Sequence, residues 1–243
     1  MKKAHASHGN SRYLPKGLAI LHEDRDILVV DKPAGLLTIA TDTEKVRTAY
    51  FALTDYVRKG FDRSPNRVFI VHRLDRDTSG VLVFARTIEA KLALQGNWEE
   101  AEKRYLAVVH GTLARREGTI ESYLAENSAH HVYETSDASL GKFSRTAYRV
   151  LREAGGLTLL EVNLLTGRKH QIRVHLASLG HPVVGDTQYG GHKRACERLG
   201  LHARFLSFPH PFSGERLTFE APVPAFFSRL MGMPNRAEAA KRP

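Results

Sequence analysis

Val68-Phe69-Ile70-Val71-His72-Arg73-Leu74-Asp75-Arg76-Asp77-Thr78-Ser79-Gly80-Val81-Leu82-Val83-Phe84-Ala85 places a polar loop between two apolar runs. Short β-branched and aromatic runs bounded by turn residues read as buried strands. The stretch is therefore a strand, a loop and a strand. Two carboxylates and two guanidinium groups fall within the five positions Arg73 to Asp77. A loop held by rigid strands is a frequent seat of catalytic groups.

Such a loop can also be a plain polar connection whose charges offset one another in water. It partly matches a calcium loop as well, since Asp75-x-Asp77-x-Ser79-Gly80 has the opening spacing of an EF-hand. That loop needs a bidentate Glu at its twelfth position and a helix beyond it. The twelfth position here is Arg86, and a strand-like run precedes it. Calcium is set aside.

Outward from this stretch, the pattern alternates short strands with few helices. Leu18 to His22 and Ile27 to Asp31 read as strands, and Lys32-Pro33-Ala34-Gly35 as a turn. Arg47 to Lys59 reads as a helix, with Tyr50, Leu53 and Val57 at 3.6-residue spacing and Gly60 as its C-terminal cap. A second helix should follow Thr87, a good N-cap. Leu94, Trp98 and Ala101 would mark its buried face, making Trp98 a core residue rather than a base-stacking platform. Tyr105 to Val109 reads as a strand, and 112–143 as irregular. Arg145 to Glu153 and Leu157 to Leu165 flank Ala154-Gly155-Gly156, a hairpin signal. Ala203 to Phe208 and Arg216 to Glu220 suggest another hairpin. Strands outnumber helices and short turns join them. The expected class is α+β, with a mixed, largely antiparallel central sheet and flanking helices.

The chain has 243 residues and no linker or internal repeat. The expected division is a basic tail over 1–17, a catalytic domain over 18–228 and a second basic tail over 229–243, helical over Arg236 to Ala240. His5 and His8 in the first tail, and the adjacent pair His130-His131, are not expected to form a metal site. No run of eighteen apolar residues suggests a membrane span, and the first ten residues lack the apolar core of a secretory signal. A single cysteine, Cys196, fits a reducing, cytoplasmic setting. The formal net charge of +10 favours a polyanionic partner, most simply nucleic acid.

A second dense polar segment is Thr166-Gly167-Arg168-Lys169-His170-Gln171-Ile172-Arg173-Val174-His175. Ile172, Leu176 and Leu179 recur at helical spacing, so Gly167 to Leu179 reads as a helix ending at Gly180. Arg168 and Lys169 would then occupy its first turn, where cations oppose the helix dipole by a few tenths to about 1 kcal/mol. A bound phosphate would reverse that penalty. His170 and His175 differ by about 140° around a helix and cannot easily share a metal.

These two segments carry a resemblance. His-Arg-Leu-Asp-Arg-x-Thr-Ser-Gly at 72–80 resembles the signature of the RluA-type pseudouridine synthases, with Asp75 in the place of the catalytic aspartate. Thr-Gly-Arg-x-His-Gln-Ile-Arg-x-His at 166–175 is similar to a second element of that family. Lys103-x-Tyr105-x-Ala107, Gly180-His181-Pro182, Gly185-Asp186-x-x-Tyr189-Gly190 and the segment from Leu201-His202-Ala203 to His210-Pro211 also match, in order, over roughly 18–224. The expectation is a compact member without the N-terminal S4-type RNA-binding module of some relatives, because its first strand begins near Leu18.

The resemblance implies isomerisation of uridine to pseudouridine within structured RNA. The bond from N1 to C1′ breaks, the uracil turns, and C5 joins C1′. No cofactor or metal is required. Asp75 would act ionised, as nucleophile at C1′ or as base at C2′. A desolvated carboxylate tends to protonate, so a cation should attend it, and the resemblance assigns that part to Arg173. Tyr105 would pack on the target base, and Arg73 would fill the space left by the flipped nucleotide. His72, Arg76, Lys103, Arg168, Lys169 and His170 are expected RNA contacts. The protein is expected to work as a monomer, in no membrane, on ribosomal RNA in preference to transfer RNA. A non-catalytic RNA-binding module, and a hydrolase using Asp75 and Asp77, are the alternative classes.

Overall fold

The computed structural model describes residues 14–190, Cys196 and 198–233. The His5/His8 pair and the helix expected over Arg236 to Ala240 lie outside the described residues. In chain order the elements are β1 Ala19–Glu23, β2 Ile27–Lys32, α1 Ala49–Arg58, β3 Phe69–Ile70, β4 Ser79–Ala85 and α2 Ile88–Gly96. Next come β5 Glu102–His110, β6 Glu117–Glu126, β7 Val132–Thr135, β8 Lys142–Ala154, β9 Leu157–Leu164 and α3 Gln171–Ser178. β10 Leu201–Pro209, β11 Arg216–Glu220 and α4 Ala225–Leu230 complete the series. Two compact units result: the chain up to Glu102 with Ala203–Ala221, and Lys103–His202 with the chain from Pro222 onward.

In the first unit the strand order is β1-β2-β4-β10, with β3 beside β4 and β11 beside β10. The pairings β1–β2, β2–β4, β3–β4 and β10–β11 are antiparallel. All seven residues of β4 are buried. A strand covered on both faces reads as a continuous apolar run, which is why Val81 to Ala85 shows no alternation. Ile27, Val29, Val81, Val83, Leu206, Phe208 and Phe219 form the core with Ala90 and Leu94 of α2. Both helices start on the threonines their sequences offer. Thr48 Oγ1 accepts from the Phe51 N–H and Thr87 Oγ1 from the Ala90 N–H, each at 3.0 Å.

The second unit orders its strands β5-β9-β8-β6-β7, every pair antiparallel. Gly155 and Gly156 both have positive φ, 58° and 75°, the backbone a two-residue hairpin turn needs. Leu106, Val108 and Leu159 pack with Phe226, Phe227 and Met231. The α+β class is thus as expected, with predominantly antiparallel pairing. Among the described residues no helix is long and apolar enough to cross a membrane.

Several boundaries move. The helix expected over Gly167 to Leu179 begins only at Gln171, so Arg168 and Lys169 precede it and do not load its first turn. Side chains explain the delay. Gln171 Oε1 accepts from Thr166 Oγ1 (2.8 Å) and from the Arg168 N–H (3.0 Å), and His170 is left-handed with φ 53°. The irregular region expected over 112–143 instead carries β6, β7 and the start of β8. α2 stops at Gly96, so Trp98 lies in a separate 3-10 turn, Trp98–Glu100, still packed on the core. At the end of α1 Lys59 and Gly60 both turn left-handed, with φ 54° and 74°.

Gly80 fixes the junction between the acidic loop and β4. Its φ is +118°, and a Cβ there would lie 2.1 Å from the backbone oxygen of Ala203. Backbone strain and backbone collision add. Gly80→Ala should cost roughly 3–5 kcal/mol in the first unit, read as a lower urea midpoint. An unchanged midpoint would mean that β4 and β10 separate there without penalty.

Candidate active site

The first unit holds the acidic loop by its backbone. Lys32, at the end of β2, is fully buried, and its Nζ donates to the carbonyls of Pro33 (3.0 Å), Leu36 (2.7 Å) and Arg76 (3.0 Å). An ammonium carries three N–H donors and no acceptor, so three converging carbonyls match it. The Gly35 N–H donates to the same Arg76 carbonyl at 2.9 Å. Thr38 Oγ1 donates to the Leu74 carbonyl (2.7 Å) and accepts from the Leu74 N–H (3.2 Å). Asp75 is thereby fixed through both of its chain neighbours, and its own carbonyl accepts from the Thr78 N–H at 3.2 Å. Its side chain is half-buried, whereas Arg73, Arg76 and Asp77 are exposed.

His72, Arg73, Asp75 and Arg76 thus share one loop, but they differ in kind. β3 pairs with β4 only at Phe69–Ala85 and Ile70–Phe84. Where the next ladder bond would fall, His72 Nε2 accepts from the Val83 N–H at 3.2 Å. The ring also packs on Trp98, centroids 4.6 Å apart. An Nε2 that accepts cannot carry the proton, so His72 holds the loop as a neutral ring. Arg76 Nε donates to the Gly35 carbonyl at 3.3 Å.

In the second unit Lys103 and Tyr105 lie buried on β5, with Tyr105 opposite Val162 of β9. Arg173 lies on α3, and its side chain is 11% exposed. Its Nε donates to Asp186 Oδ2 at 2.7 Å and its Nη2 to Asp186 Oδ1 at 2.9 Å. Asp186 Oδ1 also accepts the N–H groups of Gln188 and Tyr189, each at 3.0 Å. The Arg173 guanidinium lies 5.0 Å from the centroid of the Tyr189 ring. Burial alone would raise the Asp186 carboxyl, but the Arg173 hydrogen bonds and charge and the two N–H groups outweigh it and hold it below its ordinary 3.8.

Of the remaining predicted contacts, His170 meets the same tyrosine. His170 Nδ1 is 2.9 Å from the Tyr189 hydroxyl, which also accepts from the Val132 N–H. Lys169 Nζ donates to Glu126 Oε1 (2.7 Å) and the His130 carbonyl (2.9 Å), tying the segment to the β6–β7 turn. Arg168 is exposed. His175 is buried between Ser122 and Thr146 hydroxyls, and burial pushes its pKa down.

Sequence reading did not single out Lys32, Thr38 or Gln171. A lysine two residues beyond the apolar Ile27-Leu28-Val29-Val30 run was the available signal for the first. Asp186 and Tyr189 were noted only as parts of a pattern. Among the described residues, Asp24, Asp26 and His210 could together offer ligands to a metal. Asp24 is already engaged by His22 (2.7 Å) and by the Asp26 and Ile27 N–H groups (2.8 Å each). His210 Nδ1 accepts from the Ser213 N–H at 3.2 Å, which leaves the proton of a neutral ring on Nε2, the nitrogen facing Asp24.

A carboxylate loop held rigidly by its backbone, in a chain of net charge +10, is the equipment of an enzyme that works on a polyanion. The model of the RNA pseudouridylate synthase family matches residues 26–178. The chain is 40% identical over 225 residues to ribosomal large subunit pseudouridine synthase D of Nitrosomonas europaea, covering 88% of this chain and 64% of that protein. It is 37% identical over 232 residues to the protein of the same name from Pseudomonas aeruginosa, covering 89% and 71%. The solved structure of human RNA pseudouridylate synthase domain containing 1 is similar with a TM-score of 0.69 at 28% identity, over 86% of this chain and 84% of that one. The chain belongs to the RNA pseudouridylate synthase family. It spans about two thirds of the length of the two bacterial relatives.

The Arg173–Asp186 pair should dominate the acid sensitivity of the second unit. Breaking a buried pair from one side costs ~3–5 kcal/mol, so Arg173→Met should destabilise this unit by about that much. Because the folded-state pKa of Asp186 is depressed, its contribution is full above the unfolded value near 3.8 and disappears as pH falls through the folded value. Chemical unfolding at stepped pH should show wild type losing stability below about pH 4, and Asp186→Asn losing less there. Parallel curves for the two proteins would contradict the assignment.

Proposed function

We propose that this chain converts specific uridines of structured RNA, in large-subunit ribosomal RNA, to pseudouridine. The observation that carries the reading is the signature loop itself, in which the family's aspartate, Asp75, is fixed through both chain neighbours. The reaction cleaves the N1–C1′ bond, turns the freed uracil and joins C5 to C1′, with the C5 proton lost and one gained at N1. Mass is unchanged. Asp75 supplies the carboxylate in ionised form, either to C1′ or to the C2′ proton. Tyr105 and Arg173 complete the catalytic set. Arg73, His72, Arg76, Lys103, Arg168, Lys169 and His170 serve the RNA. His72 does so by positioning the loop, consistent with its bond to Val83. Lys169 does so through the β6–β7 turn it grips.

The target base must leave its stack, which costs least in a loop or at a weak pair. Recognition of an unpaired nucleotide in a folded RNA is therefore the chemistry required. The names of the N. europaea and P. aeruginosa relatives support ribosomal over transfer RNA. Residues 18–228 form the catalytic part, flanked by basic tails at 1–17 and 229–243. The protein acts as a cytoplasmic monomer without cofactor or metal.

The test is a pseudouridine map of both RNA classes from cells with and without the protein. Purified protein should then restore the missing site in a transcript. Loss of a transfer-RNA site alone overturns the choice of ribosomal RNA. Loss of no site, with no transcript modified, overturns the enzyme.

Asp75→Asn should abolish turnover and leave RNA affinity within a few-fold, since shape is kept and only the charge goes. Asp77→Asn should retain most activity, because Asp77 is exposed and occupies the variable position of the signature. Single-turnover assays on one transcript compare the two. An inactive Asp77 variant beside an active Asp75 variant would reverse the assignment.

A further inference from the structure

The first unit contains a cleft of about 840 Å³ that the catalytic assignment leaves unused. That volume lies in the range of small-ligand sites. One wall is Arg76, the residue after Asp75, with Pro33 to Leu37 beside it. The start of α1 and the turn before it also line it. There Phe51 is 50% exposed and Val46 54% exposed, large apolar side chains facing water. Lys16 and Arg47 add two exposed cations.

Two acids also line the cleft, Glu44 and Asp55. Glu44 is held in place: its Oε1 accepts from the Val46 N–H (3.1 Å) and the Arg47 N–H (3.0 Å), and its Oε2 lies 3.3 Å from Arg47 Nε. Those hydrogen bonds, with the charges of Arg47 and Arg76, keep its carboxyl below the usual range. One carboxylate thus pairs with the Arg47 guanidinium, within the field of Arg76, at a turn whose N–H groups point at an anion. The surroundings suit a phosphate as well as they suit Glu44.

We propose that this cleft takes a nucleotide of the substrate RNA adjoining the target uridine, its base on Phe51 and its phosphate near Arg47 and Arg76. The inference rests on the function proposed above. An exposed aromatic face beside cations is the surface on which unpaired bases stack. Chain continuity puts the cleft next to Asp75, so a nucleotide there would index the target by position. The chain preceding Leu14 is a poorer occupant, because it carries Lys2, Lys3 and Arg12 and no acid to complement the cations.

The probe is an in vitro transcript of large-subunit ribosomal RNA, with affinity read by filter binding and turnover measured in parallel. Phe51→Ala should weaken binding roughly tenfold, the size of one lost base stack, and Phe51→Trp should restore it. Arg47→Ala should weaken binding several-fold and flatten its salt dependence. Glu44→Gln should tighten binding by removing the competing anion. Unchanged affinity in both Phe51→Ala and Arg47→Ala overturns the proposal, as does Phe51→Trp binding no better than Phe51→Ala. Failure of the wild-type chain to modify any transcript counts instead against the enzymatic reading, because the affinities are measured without turnover.

Discussion

A single buried ammonium fixes the shape of the acidic loop. Lys32 is fully buried at the end of a strand, yet it ties three carbonyls from two distant stretches of chain. Burying a charge is costly unless hydrogen bonds replace its water. The backbone turns at 33–36 and at Arg76 supply that replacement, and in return they are fixed. Thr38 repeats the device one step upstream, at Leu74. Asp75 is therefore positioned by constraints on both of its chain neighbours. Preorganisation of this kind is what electrostatic catalysis requires.

The second unit follows the same logic with the charges exchanged. There a buried guanidinium, Arg173, is fixed by a carboxylate on a loop that follows its helix, and by the ring of Tyr189. Tyr189 in turn collects His170 and the backbone of Val132. The loop after α3, the turn before it and the β6–β7 hairpin thus meet at one tyrosine. Of the cations that make the sequence look like a nucleic-acid binder, Lys32 and Arg173 are buried and hydrogen-bonded, and Lys169 is half-buried on Glu126. Arg73, Arg76, Arg47 and Arg168 are among the exposed ones.

Much of the fold was legible in the sequence, because the signals were local. Val81 to Ala85 read as a buried strand from its unbroken apolar run. Thr87 caps its helix from the side chain that predicts it, and Gly155-Gly156 announced its hairpin. The failures came where side-chain hydrogen bonds rather than periodicity decided the backbone. Gln171, bonded to Thr166 and to the Arg168 N–H, holds Arg168 out of the helix that periodicity assigned to it. The 112–143 region looked irregular because β6 and β7 are largely exposed or half-buried, so polar residues are common there and the alternation is weak. For the site, Asp75 and the cationic segment were visible as ordered motifs. Lys32 was not, since its place in an apolar strand was the one local hint and its partner at Arg76 lies 44 residues away.

The claim that the Lys32 ammonium shapes the Asp75 loop is tested most directly by native-state hydrogen exchange on Lys32→Met, which keeps the stem and removes the donors. The account predicts that the Gly35, Leu74 and Thr78 amides lose protection by about tenfold or more as the loop opens locally, while the β8–β9 amides in the second unit exchange as in wild type. Unchanged protection at Gly35, Leu74 and Thr78 would contradict it, and would mean that the loop keeps its shape without the buried charge.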